Sequence, residues 1–210
     1  MKKSEYHHGN LKEDLLKIAF DYIAEHDVDS LTLKVLADAT GTSRSAIYRH
    51  FKSKDDLMEY IIERGFDSFD DYASPILLDK SKPLEERFHE GSRAYITWAK
   101  QNPNLYRLLF GKKYKDLREN IIDIKDDDCS GFGSIKLAIQ EGQQSGLVKH
   151  EDSYKQTIII WASLHGLASL VIDGFMDVEE ISDELVDRMF ASLLAGVATN
   201  KAKIFSSLGF

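Results

Sequence analysis

The sequence predicts an all-α fold: a three-helix helix-turn-helix domain at residues 1–55, followed by a helical body at residues 56–210. Three observations carry this expectation. Apolar residues recur at helical spacing along most of the chain, and no segment shows the strict alternation of a half-buried strand. Near residues 32–51 a Gly stands between two short helical runs, each preceded by a hydroxyl side chain. Hydrophobic residues make up 43% of the chain with only three prolines, a balance that favours a packed, largely helical protein over a disordered one.

The first helix is written in Leu11, Leu15, Ile18, Ala19, Tyr22 and Ile23, which fall on one stripe. Asn10 with Glu13 forms a cap pair at its start, and the polar run EHDVDSL ends it. Thr32 caps a second, short helix that turns Val35, Leu36 and Ala39 inward, and Gly41 supplies the backbone freedom to stop it. Ser43 caps a third helix, Arg44 to Phe51, with Ala46, Ile47 and Phe51 inward. Two helices joined by a tight turn containing Gly form a helix-turn-helix. Ser53, Asp55 and Asp56 open a fourth helix in the favourable dipole sense, running through Leu57, Ile61 and Ile62 toward Tyr72.

Pro75 and Pro83 punctuate the chain beyond. Amphipathic runs then follow at about 84–101, 104–110, 127–145, 153–173 and 181–198, the third ending at Gly146. No internal repeat or low-complexity segment interrupts them.

The chemistry concentrates in the helix-turn-helix. The formal net charge is −8, yet residues 30–54 carry Lys34, Arg44, Arg49, Lys52 and Lys54 against Asp38 alone, a local +4. A basic island on an acidic body still faces a phosphate backbone, because the local field decides the approach. A recognition helix presents its first turn to the major groove, where all four base pairs are distinguishable. Thr42, Ser43, Arg44 and Ser45 occupy that end, with Tyr48 and Arg49 one turn on. Arg44 is the candidate base reader, since a guanidinium bridges two acceptors on guanine. Tyr48, His50, Lys52 and Lys54 suit phosphates, and Thr32 and Lys34 hold the backbone on the other side.

The stretch YHHGNLKEDLLKIAFDYIAEHDVDSLTLKVLADATGTSRSAIYRHFKSKDDL resembles the DNA-binding domain of TetR-type transcriptional regulators. The residues that carry the resemblance are Thr32, Leu36, Ala37, Gly41, Ser43, the run Ile47-Tyr48-Arg49-His50-Phe51, Lys54 and Leu57. It implies that Tyr48, His50 and Lys54 grip phosphate while the region of Arg44 reads bases. Thr40 and Thr42 stand where the family more often has Ala and a branched aliphatic, which implies looser packing at the turn.

Family regulators pair this head with a helical body that binds a small ligand and dimerises. NPNLYRLLFG and WASLHGLASLVIDG resemble a subgroup whose C-terminal domain carries a Trp-x-x-x-His-Gly signature, here Trp161, His165 and Gly166. Trp161 and His165 lie one helical turn apart, and Tyr95, Trp98, Tyr106, Phe110 and Phe132 are candidates to line a ligand pocket with them. The bland reading of the same residues is a packed core. The segments Tyr154 to Ile172 and Leu185 to Val197, rich in small residues, are the expected dimer helices. An isolated head makes few base contacts, whereas two spaced by about 34 Å read two half-sites. Gly166 costs a helix about 1 kcal/mol relative to Ala, so a close helix approach is expected there.

The resemblance thus implies a sequence-specific transcriptional regulator, a repressor released from a double-stranded operator by an unidentified small-molecule effector and acting as a homodimer. Other constellations are weak: Asp126, Asp127 and Asp128 lack the spacing of a calcium loop, His7-His8 suits an arm near DNA, and His89 suits a solvated face. No nucleophile motif, phosphate-binding Gly loop or carboxylate pair argues for an enzyme, and nothing asks for a cofactor or metal. Lone Cys129 fits a reducing compartment. The N-terminus lacks a signal-peptide pattern and the apolar stretches are short for a membrane span, so a cytoplasmic location without membrane partner is expected. Two alternatives stay open: a helical carrier or enzyme without salt-sensitive DNA affinity, and an architectural DNA binder without ligand.

Overall fold

The computed structural model describes residues 11–119 and 131–199. Among the described residues ten α-helices run in chain order: α1 Leu11–Glu25, α2 Leu33–Thr40, α3 Arg44–Tyr48, α4 Lys54–Leu78, α5 Leu84–Gln101, α6 Pro103–Phe110, α7 Lys115–Glu119, α8 Gly131–Gln144, α9 Ser153–Ile172 and α10 Asp183–Val197. Among the described residues the only β pairing is an isolated antiparallel bridge, Val148 to Ala198. Asn10, His7-His8 and Asp126 to Asp128 lie outside the described residues.

Contacts divide the chain into two units, Met1–Gly65 with Asn102–Ile121, and Phe66–Gln101 with Ile122–Phe210. The first unit therefore takes more than the expected 1–55 segment: it also holds the start of α4 and all of α6 and α7. Its core gathers Leu15, Ala19 and Ile23 from α1, Leu36 from α2, Ile47, Phe51, Leu57 and Ile61, and Leu105 and Leu109 from α6. Gly65 on α4 lets α6 come close, because a Cβ there would stand 2.9 Å from Leu109 Cδ2. Asn104 fixes the other end of α6 to α1 by donating to the Ile23 carbonyl at 2.9 Å.

In the second unit, α9 packs against α5, α8 and α10. The side chain of Arg87 on α5 is almost wholly buried; it donates to the Leu77 carbonyl at 3.1 Å and forks onto the Glu141 carboxylate of α8. Such a buried charge requires its partner, because an unpaired guanidinium in the interior is strongly unfavourable. Glycine lets α8 pack tightly at Gly142, where a Cβ would stand 2.5 Å from a Val148 methyl. α9 is long and apolar enough to cross a membrane by length and composition alone, yet Gln156, Thr157, Ile160, Leu164, Ala168 and Val171 on it are buried against protein.

Three expectations need correction. In α2 the buried stripe is Leu33, Leu36, Ala37 and Thr40, while Ala39 faces solvent, because Leu33 sets the phase. The third helix closes at Tyr48 rather than Phe51, and the chain tightens there through Phe51 N–H donating to the Ile47 carbonyl at 3.0 Å. Pro75 does not end α4, which runs on to Leu78. Proline removes one hydrogen bond and crowds the carbonyl four residues back, but both Pro75 and Asp71 face solvent, and Leu77 beyond them is buried.

Candidate functional site

The helix-turn-helix is built by local hydrogen bonds. Thr32 Oγ1 accepts from the Val35 N–H at 3.2 Å and Ser43 Oγ from the Ala46 N–H at 3.3 Å, so both hydroxyls cap the helices they precede. Gly41 ends α2 in the left-handed region at φ 65°, a conformation that disfavours a side chain. The turn is not loosened by its two threonines. Thr40 is buried and its hydroxyl donates to the Leu36 carbonyl at 2.8 Å, while Thr40 and Thr42 share a hydroxyl hydrogen bond of 2.8 Å. A bonded pair of hydroxyls thus stands where looser packing was expected.

α3 is held by Ile47, which is fully buried, with Ala46 half-buried beside it, and turns Arg44, Ser45 and Tyr48 outward. Ser43, Arg44, Ser45, Arg49 and His50 are exposed, and Thr42 is half-buried. Tyr48 is 54% exposed. A ring that chiefly braced the helix would be covered, so at this exposure Tyr48 is open to a partner. Thr32, Lys34 and Lys52 are exposed as well. Lys52 offers its backbone N–H to Asp56 at 2.8 Å while Asp56 N–H donates to Ser53 Oγ at 3.1 Å, so a side chain on each side of the turn closes the start of α4. Lys54 is less exposed than its neighbours, and its ammonium donates to the Asp29 carbonyl at 2.9 Å.

The seven expected ligand-pocket residues fall into three groups. Tyr106 and Phe110 pack on each other in the first unit, ring centroids 4.6 Å apart. In the second unit Tyr95 and Trp98 both meet Phe69 edge-on, at 5.2 and 5.0 Å. Trp161 meets Phe132 at 6.0 Å and His165 at 5.5 Å. The second unit also encloses a void of about 20 Å³ bordered by Phe69, Leu77, Phe88, Ser92, Ile160 and Leu164, and Tyr95 is the one expected residue on it. That is room for about one water molecule. The other lining residues read in sequence only as stripes on separate helices, since which stripe faces which is decided by tertiary packing.

His89 is not on a solvated face. Its Nδ1 stands 3.3 Å from Asp187 Oδ1 with its side chain 12% exposed, and its ring meets Phe190 edge-on at 5.1 Å. Arg93 also grips Asp187, donating through Nε at 2.8 Å, and this contact, followed by the His89 hydrogen bond, holds the Asp187 carboxyl below the usual carboxylate range against its partial burial. Among the described residues no cluster of three or more His, Cys, Asp or Glu is placed to hold a metal.

Comparison with known proteins places these features in context. Residues 15–61 match the family of bacterial regulatory proteins of the tetR type, and residues 88–193 match the tetracyclin repressor-like C-terminal domain. A helix-turn-helix-type transcriptional regulator of Staphylococcus aureus (strain USA300) is 27% identical over 134 residues, covering 60% of this chain and 72% of that protein. A protein of unknown function from Rhodococcus sp. RHA1 shares the fold with a TM-score of 0.75 at 22% identity, covering 93% of this chain and all of the other. The fatty acid degradation regulator of Bacillus halodurans shares it with a TM-score of 0.69 at 16% identity, over 91% and 98% of the two chains.

Proposed function

The chain belongs to the TetR family of DNA-binding transcriptional regulators, and on that premise we propose that it is a homodimeric repressor released from its operator by a small-molecule effector. The observation that carries the reading is the outward face of Arg44, Ser45 and Tyr48 on a helix capped by the exposed Ser43 and anchored through Ile47, with Thr42 at its approach. Arg44 at the start of α3 is suited to bridge guanine acceptors, while Tyr48, Arg49, His50 and Lys52 hold phosphates. Lys54, Thr32 and Lys34 support the flanking backbone. A cytoplasmic location follows from acting on DNA and is part of the same proposal.

The dimer reading rests on α9 and α10. Ile158, Ile159, Ala162 and Leu170 are exposed along α9, an apolar stripe that water disfavours. Gly166 on α9 and Gly196 on α10 meet nothing within 4 Å where a Cβ would stand. Among the described residues nothing packs onto either glycine, and a second copy approaching closely supplies a reason for both. The same Gly166, with Trp161 and His165, supports the Trp-x-x-x-His-Gly subgroup.

The effector reading rests on the family match of residues 88–193, and the void beside Tyr95 and Ser92 in the second unit supports a place for a ligand there once it widens. A molecule that fits only after the void widens binds one conformation better than another, and that differential affinity is what shifts DNA occupancy.

Fluorescence anisotropy tests the function, with duplexes from the DNA upstream of the chain's own gene at two salt concentrations. Saturable, salt-sensitive binding to one duplex at one dimer per site is expected. Arg44→Ala should weaken that binding by about 1–3 kcal/mol while leaving affinity for unrelated duplexes nearly unchanged. Equal losses on all duplexes would remove Arg44 as a base reader.

A further inference from the structure

Asp29 lies in the short 3₁₀ turn Val28–Ser30 before α2, and three groups converge on it. Its carbonyl accepts from Lys54 Nζ at 2.9 Å, its carboxylate accepts from the Tyr114 hydroxyl at 2.9 Å, and Lys113 Nζ pairs with the same carboxylate oxygen. Tyr114 and Lys113 belong to a second 3₁₀ turn, Lys112–Tyr114, which leads directly into α7. By sequence this turn falls inside the span that matches the C-terminal domain, yet by contacts it belongs to the unit that carries the helix-turn-helix.

We propose that Lys112, Lys113 and Lys115 form a second phosphate-binding element, carried on the DNA-binding unit from outside the helix-turn-helix and gripping the DNA backbone beside Lys54. The partner is duplex DNA read by charge alone. The inference rests on the DNA-binding reading above and extends it to residues well outside the recognition motif.

Several features favour this over a basic turn that is merely hydrated. The turn is fixed at both sides of Lys112: the Arg118 guanidinium donates to the carbonyls of Leu109 at 2.7 Å and Gly111 at 3.0 Å, and Tyr114 ties the far side to Asp29. Such anchoring holds cations where they are useful without ordering them at the moment of binding. The tether persists at neutral pH. Lys113 first, then Tyr114, holds the Asp29 carboxyl below the usual carboxylate range, and burial followed by the Asp29 hydrogen bond pushes the Tyr114 hydroxyl up, so it stays a donor.

Lys112, Lys113 and Lys115 are all exposed. Residues i and i+3 of a 3₁₀ turn eclipse, so Lys112 and Lys115 share one face while Lys113 turns to Asp29. The Lys113–Asp29 and Lys115–Glu119 pairs are exposed at both ends. Pairs of that kind contribute little and yield readily to a phosphate. On a chain of net charge −8, three lysines fixed next to the local +4 of residues 30–54 extend that basic region toward the flank of the bound duplex.

The test measures the full-length protein on a long duplex of arbitrary sequence through a salt series, by anisotropy. Relative to wild type, a Lys112→Gln/Lys113→Gln/Lys115→Gln variant is expected to flatten the slope of log K against log salt by roughly 0.9 for each phosphate no longer neutralised. Because Lys113 helps tether the turn, a Lys112→Gln/Lys115→Gln variant is measured beside it. That variant is expected to keep the wild-type melting temperature and still flatten the slope. A double variant with the wild-type slope overturns the inference, whatever the triple variant does. If wild type shows no salt-sensitive affinity for any duplex, the DNA-binding reading falls and this inference with it. Wild-type binding with a double-variant slope unchanged leaves that reading intact and removes only the lysines.

Discussion

At the residue scale, the sequence is most readable where a side chain acts on its own backbone. Thr32 and Ser43 are caps in the structure as in the pattern, since a hydroxyl two to three residues from an orphan N–H needs nothing distant to reach it. Gly41 is equally local, and its φ of 65° carries a prediction. Nothing lies within 4 Å of the Cβ that Gly41→Ala would add, so the cost is conformational alone. A loss of about 1–2 kcal/mol in unfolding free energy is expected, read from the shift of a urea midpoint. A neutral midpoint would mean that α2 ends differently in solution. What the pattern missed was the pairing of Thr40 with Thr42. Periodicity treats a threonine as an imperfect apolar residue, whereas here Thr40 is buried with its hydroxyl satisfied by the Leu36 carbonyl and by Thr42. The exposure of Tyr48 likewise could not be read from spacing, because a tyrosine on a short helix fits either a brace or a contact until its neighbours are known.

At the scale of elements, the long helices of the body were legible and their partners were not. α5 spans Leu84–Gln101 as the apolar period indicated, but the period does not reveal that its His89 and Arg93 face Asp187 on α10. Two positions almost a hundred residues apart carry no mutual signal in one sequence. The pairing has a pH consequence. Asp187 is depressed in the folded state, chiefly by Arg93 and then by His89, so its contribution to stability is complete above the unfolded carboxylate pKa near 4 and is lost as pH falls through the lower folded value. Asp187→Asn is therefore expected to lower stability at neutral pH and to make the decline below about pH 4 shallower than in wild type, as followed by thermal melts across an acid series. Parallel acid limbs for the two proteins would show that the carboxylate is not held by α5. α4 teaches the converse lesson about breakers: Pro75 reads as a stop, but its missing hydrogen bond falls on the solvent side while Leu77 on the other side is buried beside Gly91.

At the scale of the whole molecule, what one sequence conveys least is which segments fold together and which surface awaits a partner. The division at residue 55 followed the end of the helix-turn-helix motif, whereas the contacts send residues 102–121 back to the first unit through Asn104 on α1 and Tyr114 on Asp29. For the proposed dimer helices, composition offers apolar residues and glycines, and among the described residues Ile158, Ile159 and Leu170 stay exposed on α9, which is the support for a second surface there. Ile159 is 50% exposed on α9, next to Ile158 and about one turn from Ala162, and it tests that argument. Ile159→Glu places a charge where association would strip it of water, a strongly unfavourable change for the dimer, while the monomer keeps the side chain in solvent. Sedimentation velocity is expected to show a monomer at concentrations where wild type is dimeric, with an unchanged monomer melting profile. Since specificity depends on two heads reading two half-sites, the same substitution should lower operator affinity far more than Arg44→Ala lowers affinity for random duplexes. A monomeric variant that still binds the operator as wild type does would separate recognition from assembly, and one that remains dimeric would move the interface away from α9.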